Sequence, residues 1–222
     1  MESQINNNSR SRFKVISLTL LILIVAGAWF EFSVRAQVSK EDVVGHAASQ
    51  YTLLTSRAKE NLEIPRSVKN GTIRPINKDF DWTAGFFPGS LWYLYELTGD
   101  DNWAFHARYF QGQIAHMRFF PGSHDLGHIF NNSYGHAYRL ENKPEDLEIL
   151  LDAGNTLIKR FNPSVKAIQS WDTDKGWQSQ RGWSFPVSIG NMMTLELLFR
   201  LSEWTGDAKY ADVAVAHANT TM

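Results

Sequence analysis

The chain has 222 residues, a formal net charge of −1 from 22 basic and 23 acidic side chains, eight Trp and no Cys. Without cysteine there is no disulfide framework, thiolate nucleophile, Cys-ligated metal or lipoprotein anchor, and the balanced charge offers no basic footprint for nucleic acid.

Arg10, Arg12 and Lys14 precede an apolar run from Val15 to Phe30, and Val34-Arg35-Ala36 sets small residues where a signal peptidase reads. The run is shorter than the ~20 apolar residues of a spanning helix, so residues 1–36 are expected to be a cleaved export signal, with an uncleaved N-terminal anchor as the alternative. Membrane contact follows only from the anchor. Either way residues 37–222 lie outside the cytoplasm, and the lack of disulfides points to a bacterial periplasm or secretion. They are enough for one ordinary domain.

An internal repeat organises this domain. Leu94-Tyr95-Glu96-Leu97-Thr98-Gly99-Asp100, followed by Trp103, Ala104 and Ala107, returns as Leu201-Ser202-Glu203-Trp204-Thr205-Gly206-Asp207, followed by Tyr210, Ala211 and Ala214. A third, blurred copy runs from Tyr138 to Pro144 and on through Leu147, Leu150 and Leu151. Each copy ends one helix at Gly or Asn and opens the next at an acidic or Pro-marked start, which is a helix hairpin. Helices before the turns are expected near 85–97, 126–140 and 189–204. Rich in aromatic residues and Met, they suit burial on both sides. Helices after the turns, near 101–117, 144–160 and 207–219, mix charges into the apolar pattern, as an outer layer would. Alternating inner and outer helices describe an all-α (α/α) toroid, with an open helical solenoid as the competing architecture.

The segments entering the inner helices collect Trp, Phe, His and Asp. They read Asp81-Trp82-Thr83-Ala84-Gly85-Phe86-Phe87-Pro88-Gly89, then His124-Asp125-Leu126-Gly127, then Trp171-Asp172-Thr173 through Trp177, Trp183 and Phe185-Pro186. In a toroid they share one mouth, and aromatic faces with convergent polar groups suit a sugar ring, although each aromatic could equally be core. Asp125 stands where a helix is expected to begin, and a helix N-terminus favours a carboxylate. That suits a base, hydrogen-bond acceptor or electrostatic stabiliser, with an ordinary N-cap as the alternative. His124 and His128 stand four apart as helical zinc ligands do, but no third ligand is evident, so no metal site is expected.

These stretches, together with Phe161-Asn162-Pro163, Ser170-Trp171-Asp172, Phe185-Pro186-Val187, the run from Asn191 to Phe199 and His217-Ala218-Asn219-Thr220-Thr221, resemble in order the unsaturated glucuronyl hydrolases, glycoside hydrolase family 88. The resemblance implies a six-hairpin (α/α)6 barrel, of which about three hairpins are present here. It also implies a periplasmic enzyme that removes the 4,5-unsaturated uronic acid left by polysaccharide lyases on glycosaminoglycan oligosaccharides. In that chemistry a carboxylic acid protonates the C4=C5 vinyl ether, water adds at C5 and the hemiketal collapses, without metal or organic cofactor. Asp125 matches the family's first catalytic aspartate. Trp82, Phe86, His124 and Trp177 are the expected sugar-binding residues.

Two departures accompany the match. The second catalytic aspartate should stand directly before Asn-Met-Met, where this chain has Gly190, and the amide of Asn191 has no acidic proton to deliver to carbon. The family's remaining hairpins, with the residues that hold the sugar carboxylate and the water, would follow Met222. Little or no turnover is therefore expected. The alternatives are a non-catalytic carbohydrate-binding remnant and a relative of the unsaturated rhamnogalacturonyl hydrolases.

Overall fold

The structure, a computed structural model, describes residues 39–222; the candidate export segment, residues 1–36, lies outside them. By internal contacts the chain divides into Met1–Gly45 and His46–Met222. Helix α1 (Lys40–Asn61) begins in the first unit, where Ser39 and Asp42 cap each other reciprocally, Asp42 N–H to Ser39 Oγ at 3.0 Å and Ser39 N–H to Asp42 Oδ2 at 3.1 Å. It continues in the second unit, packing Ala47, Ala48, Tyr51, Leu54 and Ala58 on the core. The three-hairpin reading does not include this helix. It also omits the antiparallel hairpin β1 (Pro65–Lys69) and β2 (Thr72–Pro75), which turns at Asn70 and Gly71, both with positive φ.

The expected hairpins follow. Helix α2 (Phe86–Thr98) ends at Gly99, φ 70°, and α3 (Asp101–Ile114) starts at Asp100, whose side chain accepts the Asn102 N–H at 3.0 Å. Helix α4 (Leu126–Phe130) passes through a wide turn, Asn131–Gly135, into α5 (His136–Glu141), which stops at Asn142, φ 53°. Pro144 opens α6 (Pro144–Ile158). A short β3 (Phe161–Asn162) and β4 (Ala167–Ile168) lead to α7 (Asn191–Thr205), Gly206 at φ 74°, and α8 (Ala208–Thr221), capped by Asp207. At Gly99 and Gly206 the left-handed backbone explains the glycine, because a Cβ there is disfavoured.

The pre-turn helices α2, α4–α5 and α7 are neighbours, and α3, α6 and α8 lie behind them. Trp92, fully buried, donates its indole N–H to Gln111 Oε1 at 2.8 Å and ties α2 to α3. Burial on both sides holds for α4, where every residue from Leu126 to Phe130 is buried: α6 and α7 pack against it, and Gly85 at the start of α2 meets Ile129. It does not hold for α2 and α7: each has a flanking inner helix on one side only among the described residues, and Tyr93, Leu97, Met193 and Phe199 remain exposed. Among the described residues no helix is long and apolar enough to cross a membrane.

His136 gives this packing a pH signature. Burial, reinforced by Arg139 and Arg200 and opposed by Glu96 and Glu196, lowers its pKa to about 4. The unfolded chain therefore takes up a proton near the ordinary imidazole value while the folded chain does not. Stability is unaffected above that value and falls as pH drops through the interval down to about 4, by at most roughly 3 kcal/mol. The buried His124 and His217 are shifted in the same direction. His136→Gln is expected to remove its own share, so that urea denaturation at pH 7 and pH 4.5 shows a smaller loss than wild type. An unchanged loss would remove His136 from the account.

Candidate active site

The three inner-helix entrances meet at one mouth. Asp81 shapes the first. Its carboxylate accepts from Thr83 N–H at 2.9 Å, Thr83 Oγ at 2.7 Å and Asn77 N–H at 3.2 Å, and pairs with Arg66 at 3.0 Å. Burial pushes its pKa up, but these partners together hold it below the usual value. The resulting turn presents Trp82, 50% exposed, and Phe86, 37% exposed. Beneath them His128 donates from Nε2 to the Trp82 carbonyl at 2.9 Å and stacks on Phe86 at 5.7 Å between ring centroids. One imidazole thus fixes both the backbone and a ring of the aromatic wall.

Asp125 stands at the second entrance. It does not cap its helix; its Oδ2 accepts from Ser123 Oγ at 2.6 Å. Its Oδ1 lies 3.5 Å from His124 Nε2 and 3.9 Å from His128 Nε2. The N-cap alternative is therefore set aside, and the carboxylate faces two imidazoles.

The tautomer of His124 follows from its neighbours. Nδ1 is 3.0 Å from the Ser170 carbonyl, which can only accept, so Nδ1 carries the proton. A lone pair on Nε2 then faces Asp125 and the Ser188 hydroxyl, which is 3.4 Å away. Burial lowers the His124 pKa, and the Asp125 charge opposes this. A Cβ at Gly190 would lie 3.2 Å from the same Nε2 and 3.3 Å from Ser188 Oγ. Positions 125 and 190 thus border one imidazole.

The third entrance is bolted to the second by polar contacts. Thr194 Oγ1 donates to the His124 carbonyl at 2.7 Å, Ser170 Oγ to Asn191 Oδ1 at 2.5 Å, and Asn191 Nδ2 to the Ile168 carbonyl at 2.7 Å. His217, on α8, accepts the Ile168 N–H at 2.9 Å. The motif residues around 170, 191 and 217 therefore build one buried support behind Asp125.

A pocket of about 820 Å3 opens in front of it, within the size range of small-ligand sites. Trp82, Asp125, Trp171 and Trp177 line it, together with Phe80 and Phe120, whose rings stack at 4.0 Å. Of the sugar-binding residues expected from sequence, Trp82 and Trp177 reach this pocket. Phe86 braces Trp82 edge-on at 6.2 Å. His124, 2% exposed, sits behind Asp125, its Nε2 3.5 Å from the carboxylate, and does not reach the pocket. The two imidazoles four residues apart each give an N–H to a different backbone carbonyl, His124 Nδ1 to Ser170 and His128 Nε2 to Trp82. Arg66, Phe80, Phe120 and Lys175 also line the pocket. Their sequence contexts carry no signal for this beyond the aromatic pair Phe119-Phe120 shortly before Asp125.

No family model matches the sequence. An unsaturated glucuronyl hydrolase of Formosa agariphila is 40% identical over 145 residues, covering 64% of this chain and 34% of that protein. An unsaturated chondroitin disaccharide hydrolase of Streptococcus pneumoniae is 29% identical over 194 residues, covering 81% and 45%. A crystal structure of an unsaturated glucuronyl hydrolase specific for heparin superimposes with a TM-score of 0.71 at 37% identity, over 82% of this chain and 48% of that one. The chain thus spans between a third and a half of the length of these relatives. The likeness assigns the hairpins to a helical toroid and not to an open solenoid. In sequence and in fold, the chain is similar to part of the unsaturated glucuronyl hydrolases, the family that its motifs resemble.

Proposed function

We propose that the pocket holds a 4,5-unsaturated uronic acid at the end of a glycosaminoglycan-derived oligosaccharide, and that in this chain binding outlasts turnover. The observation that carries the reading is the placement of Asp125 at the wall of an indole-lined pocket, with its carboxylate positioned by the Ser123 hydroxyl. Trp82 and Trp177 supply apolar faces for the C–H side of a sugar ring, while Asp125 accepts from its hydroxyls. The relatives' names, one for a chondroitin disaccharide and one for heparin, support the substrate class.

Hydration of the vinyl ether needs a proton delivered to C4 and water delivered to C5. With Gly190 beside His124, Asp125 lacks a carboxylate partner across that imidazole, and the other two carboxylates lining the pocket, Asp81 and Asp172, are paired with Arg66 and Arg160, whereas the reaction calls for a proton-donating acid and a neighbouring carboxylate that keeps it protonated. We also propose that residues 1–36 direct export, which places the pocket where lyase products accumulate.

Calorimetric titration of the chain with an unsaturated chondroitin disaccharide, run beside an ultraviolet assay for loss of the C4=C5 double bond, tests both parts. Binding with little turnover is expected, and Trp82→Ala is expected to weaken that binding about tenfold, as loss of one stacking face costs on the order of 1 kcal/mol. Turnover matching that of the relatives would overturn the binding-only reading. Absence of binding by the folded chain would overturn the pocket's assignment.

A further inference from the structure

A second pocket, of about 520 Å3, opens between helices α1 and α3, and none of the residues that line it lines the first. Its wall holds a hydroxyl that the fold leaves unused. Hydroxyls on the helices of this chain commonly turn back to the carbonyl four residues earlier: Thr52 to Ala48 at 2.9 Å, Thr98 to Leu94 at 2.6 Å, Thr156 to Asp152 at 2.9 Å and Thr205 to Leu201 at 2.6 Å. Thr55, one turn beyond Thr52 and 3% exposed, makes no such bond, and its Oγ1 is buried without a partner among the described residues. On a helix Thr divides between two side-chain rotamers, so a hydroxyl that no carbonyl holds can turn to a ligand. His106, on α3, lines the same pocket, and its Nδ1 is buried and unpaired as well.

The charges around these two side chains say what kind of ligand suits them. Lys59, Glu60 and Asp100 line the pocket, one cation with two carboxylates. Lys59 Nζ rests over the rings of Phe105 and Tyr109, at 5.7 and 6.0 Å from their centroids. Asp100 uses Oδ1 for the Asn102 N–H at 3.0 Å and the Asn102 Nδ2 at 2.8 Å. Burial and the Lys59 charge lower the His106 pKa and Asp100 opposes them, so the imidazole is neutral at pH 7. An anion entering here meets Glu60 and Asp100, and a cation meets Lys59. A neutral group that both donates and accepts satisfies all of them, and sugar hydroxyls do so. Phe105, 63% exposed and edge-on to His106 at 5.4 Å, adds an apolar face at the border.

We propose that the pocket between α1 and α3 is a second carbohydrate site, which takes a neutral sugar unit through the Thr55 hydroxyl, the His106 imidazole and the charged groups beside them. The two pockets share no lining residue, so this site stands whatever the first one holds. Its mixed charges also set it apart from a site for an acidic sugar. It gives the protein a hold on a glycan at a point other than an unsaturated end.

The test is calorimetric titration of the full chain with cellotriose and with triacetylchitotriose, neutral sugars without a carboxylate or a C4=C5 double bond. Saturable binding of at least one of them is expected, unchanged by an excess of unsaturated chondroitin disaccharide, and the His106 ring signals in nuclear magnetic resonance should move as it binds. Thr55→Val keeps the shape of the side chain and removes the unpaired hydroxyl, so the fold should be at least as stable. Its affinity for the neutral sugar should nevertheless fall about tenfold, the loss of one hydrogen bond. Thr55→Ser, which keeps the hydroxyl, should retain the affinity. The proposal is overturned if neither trisaccharide binds, if the unsaturated disaccharide displaces the one that does, or if Thr55→Val binds it as tightly as wild type.

Discussion

Replacing Gly190 with aspartate is expected to raise turnover of an unsaturated disaccharide by about 10²–10⁴-fold over the wild-type chain, the usual contribution of a positioned general acid. The position has the room. A Cβ there would meet His124 Nε2 at 3.2 Å and Ser188 Oγ at 3.3 Å, both side-chain polar atoms; the Ser188 rotor can turn away, and the closer approach requires the His124 ring to give by a few tenths of an ångström. The chemistry also favours it. A carboxyl at 190 would face the unprotonated Nε2 that Asp125 already borders, so two carboxyls would share one imidazole. Like charges so close cannot both stay ionised, and one of them keeps a proton to donate. Gly190→Asn, equal in size but without an acidic proton, should give no gain. The readout is the ultraviolet absorbance of the C4=C5 bond, followed for both variants at matched fold and sugar affinity. If Gly190→Asp binds the sugar and remains as slow as wild type, the missing carboxylate is not what limits this chain.

The repeated hairpins were legible because their punctuation is local. Gly99, Asn142 and Gly206 all take positive φ, and Asp100 and Asp207 both cap the helices that follow, as their spacing in the sequence implied. Helix α1 was equally local in its signals, with Ser39 and Asp42 at capping-box spacing, but it falls outside the repeated pattern. The site was legible in its inventory and not in its geometry. Trp82, Asp125 and Trp177 were marked by aromatic and acidic character at helix entrances, and they meet at one pocket. That His128 would hold the Trp82 carbonyl, or that His124 would turn its N–H toward Ser170, depends on contacts 46 residues apart in each case. Periodicity says which face of a helix is buried and is silent on which entrance it meets there. His124 illustrates the gap: its place beside Asp125 suggested a ligand contact, whereas it is buried and ties its entrance to Ser170 and Thr194.

Gly127→Ala is expected to be strongly destabilising, although it adds a single methyl near the site. A Cβ on Gly127 would sit 2.5 Å from Thr194 Cα and 2.7 Å from Thr194 Cβ, so α4 and α7 touch backbone to backbone and no side chain can swing aside. Gly85 stands in the same relation to α4, with its added Cβ 2.2 Å from the Ile129 carbonyl oxygen. These two glycines let three inner-helix entrances crowd around Asp125, and each must stay a glycine for reasons of space and not of φ. Overpacking that moves backbone costs about 1–3 kcal/mol and more when helices must separate, so a loss of about 3 kcal/mol is expected, or roughly 6–12 °C in Tm for a domain of this size. Gly112 supplies the contrast. It lies inside α3 with nothing within 4 Å of an added Cβ, so Gly112→Ala should stabilise by about 0.5–1 kcal/mol through helix propensity alone. Urea and thermal denaturation of the two variants should therefore move in opposite directions. A Gly127→Ala protein as stable as wild type would mean that α4 and α7 are not in backbone contact, and the common imidazole between positions 125 and 190 would lose its structural basis with them.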